Sequence, residues 1–170
     1  TELEMGEVWN HKYAVVSDGE LNIGLHDSEF DAPSVTFVQQ DIAKHARSMA
    51  DRGFDFSVMR LGEDEFNELG FTDRDDHLIT MLEARTFNPS AESENDSICG
   101  SWFELTLPVR NALSAAQFWA PIAPKLLEMR EEPTTHMRFA ADGVPLGLSE
   151  SMALEGASLC FKCQDRDALF

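Results

Sequence analysis

Cysteine is scarce in this chain of 170 residues: Cys99, Cys160 and Cys163 are the whole complement. Three thiols are too few for a disulfide framework. Cys160-x-x-Cys163 is a lone pair with no second pair at zinc spacing. It also falls in a segment patterned as a strand, where residues three apart point to opposite faces. Structural cysteines in a reducing cytosol are the expectation, and with them a cytoplasmic location. Basic residues are sparse as well, 13 Lys and Arg against 31 Asp and Glu, a net charge of −18. Such a surface repels phosphate backbones and anionic lipid, so neither nucleic acid nor membrane is an expected partner. It would attract cationic small molecules, although solubility or a salty habitat accounts for the same charge without any site. No apolar run approaches the ~20 residues that cross a bilayer. No basic segment followed by an apolar one opens the chain. There is no glycine-rich phosphate loop, no histidine four residues from another, and no locally supported Ser/His/Asp or Cys/His spacing.

What the chain does have is an echo of itself. Leu3-Glu4-Met5-x-Glu7 returns as Leu127-Glu128-Met129-x-Glu131, at an offset of 124 (127 − 3). Asp18-Gly19 answers Asp142-Gly143 (142 − 18), and Phe37-x-x-Gln40-Asp41 answers Phe161-x-x-Gln164-Asp165 (165 − 41). Ile23-Gly24-Leu25 matches Leu146-Gly147-Leu148 with one residue deleted. A fixed period signals duplicated architecture, and one this long suits a small domain rather than a solenoid turn. The expectation is a piece of a tandem protein, entered and left partway through a copy.

Three segments share one pattern of strand, capped helix and further strands ending in an acidic turn. Ser34–Gln40 alternates as a half-buried strand. Asp41 is the expected cap of a helix carrying Ile42, His45, Ala46 and Met49, which Gly53 ends. Strands are expected over Phe54–Leu61, Asn67–Thr72 and His77–Ala84, with Asp73-Arg74-Asp75-Asp76 as a turn. The pattern returns from Trp102. Trp102–Val109 reads as a strand, Asn111 as a cap, and Ala112–Ala120 as a helix stopped by Pro121. Strands follow near Leu126–Met129, His136–Ala140 and Val144–Leu148, with Asp142-Gly143 as a hairpin turn. The unit is βαβββ, an α+β fold. Residues 1–30 hold only the back half of such a unit and 158–170 only its first strand. The acidic, polar stretch Asn88–Ser97 reads as a linker. That gives residues 1–87 as the latter part of one module-pair domain, 88–100 as connector, and 101–170 as the first part of a second.

Paired βαβββ modules with Asp-rich turns before a closing strand resemble the vicinal oxygen chelate superfamily, which includes glyoxalase I, extradiol dioxygenases and the bleomycin and fosfomycin resistance proteins. The segments that carry the resemblance are Pro33–Ala50, Phe71–Glu83 and Leu105–Trp119, with Arg74 and Asp76 departing from the usual Pro and Gly of the turn. The resemblance implies half-barrel sheets with helices outside and a ligand on the concave face. It also implies, in metal-using members, His, Gln or Glu opening the first strand and Glu within the closing strand. The matching positions are Ser34, Glu104 and Ser158 in first strands, and Ile23, Thr80 and Gly147 in closing strands. Only Glu104 among them suits a transition metal, which takes three or four protein ligands. No metal and no other cofactor are therefore expected.

The remaining candidate is a cavity wall. A period of two places Trp102, Glu104 and Thr106 on one face of their strand and Phe103, Leu105 and Leu107 on the other. A helix should cover the more apolar face. Thr36 and Thr80 occupy the equivalent face of the preceding module. An aromatic beside a carboxylate suits a flat or cationic ligand, whereas Trp102 plugging a module boundary explains the same residue without one. Glu63-Asp64-Glu65 reads as a solvated acidic turn, and His77 and His26 as surface or capping residues. The leading expectation is a metal-free small-molecule-binding protein. A metal-dependent lyase, isomerase or dioxygenase is the alternative, and a catalytically silent interaction module the third. Unpaired edges at both ends favour a homodimer. The complete modules could pair with each other, but pairing of each with its incomplete neighbour in sequence is the expectation.

Overall fold

The computed structural model describes residues 13–17, 22–27, 33–62, 67–83, 100–141 and 144–163. In chain order its elements are β1 (Tyr13–Ser17), β2 (Asn22–His26), β3 (Ser34–Gln39), α1 (Ile42–Ala50), β4 (Phe56–Arg60), β5 (Glu68–Thr72) and β6 (Leu78–Glu83). They continue with β7 (Ser101–Pro108), α2 (Ala112–Trp119), β8 (Lys125–Arg130), β9 (His136–Ala141), β10 (Val144–Ser149) and β11 (Ser158–Lys162). Among the described residues three sheets result: β1-β2, β3-β6-β5-β4 and β11-β7-β10-β9-β8.

Each large sheet is built on one module whose first strand runs parallel to its last. Ser34 lies opposite Leu78 and Gln39 opposite Glu83 in β3–β6, while Leu105 lies opposite Leu146 and Pro108 opposite Ser149 in β7–β10. The other strand pairs within each module are antiparallel. Parallel neighbours need a long crossover, and the helix supplies part of it. These are the two complete βαβββ modules, and the fold is α+β. Strand β11, the echo of β3, sits beside β7 as an added edge.

The chain divides into two compact units. One contains Ala32–Phe87 and Glu104–Leu159, and the other gathers Thr1–Asp31, Asn88–Phe103 and Cys160–Phe170. Of the two pairings open to the complete modules, the structure contains the one with each other. Within that unit the apolar strand faces and both helices share one core of Phe37, Ile42, Met49, Leu69, Phe71, Ile79, Met81, Leu107, Trp119, Leu146 and Leu148. Aromatic contacts join the modules: Phe54 stacks on Phe118 at 4.4 Å between centroids, and Phe37 meets Trp119 at 6.1 Å. The other unit holds the β1–β2 hairpin, in which Gly24 lies opposite Val15, as Gly147 lies opposite Arg138 in β9–β10. The register itself is shifted by one, because Val15 echoes Phe139 (15 + 124), which lies opposite Leu146.

Local signals act differently at the two helices. Helix α1 buries Ile42, Ala46 and Met49, spaced for one face. Gly53, at φ +83°, turns the chain out of it, its N–H donating to the Ala50 carbonyl at 2.9 Å. Asp41 does not cap α1 with its side chain, contrary to expectation: it sits at φ 55° in the left-handed region, which Asp tolerates. Its carbonyl accepts the Lys44 N–H instead, at 2.9 Å. Helix α2 is capped as expected, Asn111 accepting from the Ser114 N–H at 2.8 Å. Glu150, just past β10, takes the Ala112 N–H at 2.8 Å, so a second free donor of that helix end is satisfied from the closing strand.

Several expected features lie outside the described residues: the echo at 3–7, the turn at 142–143, the acidic turn at 63–65, the His26 side chain, and the connector except for Gly100.

Candidate functional site

Strand β7 alternates as its sequence dictates. Leu107 goes into the core, while Glu104 and Thr106 point to the opposite face. Register extends that face across the sheet, since Gly147 lies opposite Thr106 on one side and opposite Arg138 on the other, and Ser149 lies opposite His136. Glu104, Thr106, Gly147, His136, Arg138 and Ser149 therefore share one polar surface.

At its centre is a buried acid–imidazole pair. Glu104 and His136 are 3% and 7% exposed, and Glu104 Oε1 lies 3.0 Å from His136 Nε2. Thr106 donates its hydroxyl to the same Oε1 at 2.7 Å. Burial pushes the Glu104 carboxyl up, but the hydrogen bonds from His136 and Thr106, with the charges of His136 and Arg138, outweigh it. The carboxyl is held below the ordinary glutamate range. An ionised Glu104 only accepts, so His136 Nε2 carries the proton between them. Arg138 also donates to Glu128 at 3.0 Å. Glu104 Oε2 is buried and has no hydrogen-bond partner among the described residues. Gly147 makes the arrangement possible: a Cβ there would lie 2.5 Å from Glu104 Oε1 and 2.9 Å from His136 Cε1.

The expected wall residues divide. Glu104 and Thr106 come together in this pair, buried rather than lining an open wall. Thr36 and Thr80 lie directly opposite one another on the other sheet, Thr36 exposed and Thr80 half-buried. Trp102 is half-buried and packs edge-on against Phe161, with centroids 5.6 Å apart. His136 was missed as a functional residue. Its signal was the alternation His136-Met137-Arg138-Phe139, which puts two basic side chains on the face away from the core.

The first- and closing-strand positions that hold a divalent metal in the resembling superfamily do not fit one here. Ser34, Thr80 and Gly147 offer no carboxylate or imidazole, and Glu104 Oε1 is engaged by Thr106 and His136. Among the described residues no group of three or more His, Cys, Asp or Glu side chains could hold a metal ion.

A second buried carboxylate is structural. Asp73 Oδ1 accepts the backbone N–H groups of Asp75 and His77, each at 2.9 Å. Its Oδ2 lies 2.9 Å from His77 Nδ1 and accepts the Trp119 indole N–H at 3.2 Å. Burial raises its pKa, yet the His77 bonds prevail and leave it lowered. With Arg110 bonded to Asp75 at 2.9 Å, this turn ties the first module to α2 of the second. His77 is thus a part-buried turn partner, and every oxygen of Asp73 is satisfied. A cleft of about 430 Å³ beside it is lined by Arg52, Phe54, Asp55, Arg74 and Phe118. None of its lining side chains is a buried polar group without a partner, unlike Glu104.

No protein-family model matches the chain, and no curated protein matches it in sequence. Solved structures resemble it in fold. A bleomycin resistance determinant encoded on the transposon Tn5 aligns over 72% of this chain and 99% of its own, at 15% identity and a TM-score of 0.47. The fosfomycin resistance protein FosX from Mesorhizobium loti aligns over 73% and 93%, at 13% identity and TM-score 0.40. A glyoxalase family protein from Enterococcus faecalis aligns over 73% and 98%, at 15% identity and TM-score 0.42. Likenesses of this size leave function to the side chains. No helix among the described residues is long and apolar enough to cross a membrane.

Proposed function

We propose that this chain is a small-molecule-binding protein in which Glu104 anchors a cationic group of the ligand. One observation carries the reading: an ionised carboxylate, buried to 97% of its residue surface, leaves Oε2 without a donor while Oε1 has two. An acceptor stranded out of water costs stability, of order 1–3 kcal/mol and more when charged. A ligand ammonium, amidinium or guanidinium N–H reaching Oε2 would recover that cost on binding and form a charge-assisted bond. The net charge of −18 adds long-range attraction for such a ligand. Gly147 lets the carboxylate and the imidazole sit where any side chain would displace them.

Isothermal titration of the purified protein with benzamidinium, spermidine and metal-free bleomycin tests this. At least one probe should bind, and Glu104→Gln, which keeps the shape and removes the charge, should weaken it at least tenfold, about 1.4 kcal/mol. Equal affinity in the variant would refute the anchor. Stoichiometric bound Zn, Ni, Mn or Fe, with binding or turnover lost on chelation, would replace this reading by a metal-dependent one.

A further inference from the structure

With 31 acidic residues against 13 basic ones, an arginine in this chain has carboxylates to choose from. Arg60 takes Glu68, Arg110 takes Asp75 and Arg138 takes Glu128. Arg52 and Arg74 take none among the described residues. The Arg52 side chain makes no hydrogen bond there, and the Arg74 guanidinium gives one, to the Ser114 hydroxyl at 3.2 Å. The Arg74 carbonyl accepts from Arg110, so this residue is held at both ends. Arg74 also stands where the resembling modules carry proline in the turn, so its place is particular to this chain.

Both arginines line the cleft of about 430 Å³ beside Asp73, at the C-terminal ends of α1 and α2. Its apolar surface is Phe54 and Phe118, half-buried and stacked at 4.4 Å between centroids and 30° between planes. Phe71 braces Phe54 edge-on at 5.4 Å, so the pair is fixed before any ligand arrives. Most acceptors around the cleft are already taken. The Met49 carbonyl receives the N–H groups of Arg52 and Phe54, and Ala50 receives that of Gly53. The Trp119 carbonyl receives those of Ile122 and Ala123. Both oxygens of Asp73 are bonded as described above. Asp55 brings one open carboxylate against two guanidiniums. The cleft therefore presents unspent donors beside a flat apolar surface.

We propose that this cleft binds a planar aromatic carboxylate, its acid group on Arg52 and Arg74 and its ring against Phe54 and Phe118. A guanidinium fork matches a carboxylate through two parallel N–H donors. The volume suits one small ligand of this kind. The cleft shares no residue with the Glu104 face, and neither reading rests on the other.

Isothermal titration of the whole chain with cinnamate and with its neutral isostere cinnamamide tests this. Cinnamate should bind, and cinnamamide at least tenfold more weakly. Arg52→Gln and Arg74→Gln should each weaken cinnamate at least fivefold, while Arg47→Gln, an exposed arginine of α1 outside the cleft, and Glu104→Gln should leave it within twofold. Arg52 and Arg74 are exposed, and an unchanged Tm in each variant separates lost binding from lost folding. No binding of cinnamate at millimolar concentration, equal binding of the amide, or an Arg47→Gln loss as large as that of Arg74→Gln would overturn the proposal.

Discussion

Gly147→Ala isolates the geometry on which the candidate site depends. The added methyl would lie 2.5 Å from Glu104 Oε1, 2.9 Å from its carboxyl carbon and 2.9 Å from His136 Cε1. Those distances are inside van der Waals contact, so the Glu104 carboxylate must swing off its partners. It gives up at least one of the bonds to His136 and Thr106, each worth roughly 1.5–3 kcal/mol because one member is charged. Alanine returns about 0.4–1 kcal/mol by restricting the unfolded chain. The net cost is about 2 kcal/mol, which for a chain of this size lowers Tm by roughly 4–8 °C. Urea unfolding of Gly147→Ala, Glu104→Ala and the double variant measures it. With Glu104 truncated there is no carboxylate to displace and only the His136 ring must shift, so the cost of Gly147→Ala should fall by at least half. An equal cost in both backgrounds would show that the glycine serves the backbone, and the reasoning about the pair would fall.

Asp73 and Glu104 both have folded pKa values below their ordinary ones, so each adds stability that is complete at neutral pH and lost as pH falls below about 4. Asp73→Asn should therefore be less stable at pH 7 and show a flatter decline between pH 4 and 2, read from urea midpoints. Trp119→Phe removes the N–H given to Asp73 and leaves a cavity where the larger, fully buried indole sat, so it should cost more than the hydrogen bond alone, roughly 2–3 kcal/mol in chemical unfolding. Glu150→Ala frees the Ala112 N–H and should cost about 1 kcal/mol by the same measure, as a lost helix cap does.

Much of the fold was legible because it is local. Leu105 and Leu107 alternating with Glu104 and Thr106 gave the two faces of β7, and Asn111 before an apolar helical run gave a real cap. Asp41 stands in the same relation to α1, yet the chain enters that helix through a left-handed residue, and in that conformation the side chain makes no cap bond. The meeting of Glu104 with His136 was not legible at all. It spans three strands, β7, β10 and β9, and depends on the register that sets Gly147 between Thr106 and Arg138. Sequence spacing does not encode that register.

Gly147 itself was visible, as the echo of Gly24, but the two hairpins do not set it against the same partner. Val15 faces Gly24, whereas its echo Phe139 (15 + 124) faces Leu146, and Gly147 faces Arg138, the echo of Ala14 (14 + 124). The one residue deleted between the anchors therefore shifts the strand pairing by one. In a sheet a shift of one moves a strand's side chains to the other face relative to its partner. That shift sets Arg138 opposite the glycine and His136 opposite Ser149, on the face that Thr106 and Glu104 share. The residues to examine for function are therefore those the deletion brings onto this face: the arginine at 138, and the histidine at 136 that reaches Glu104.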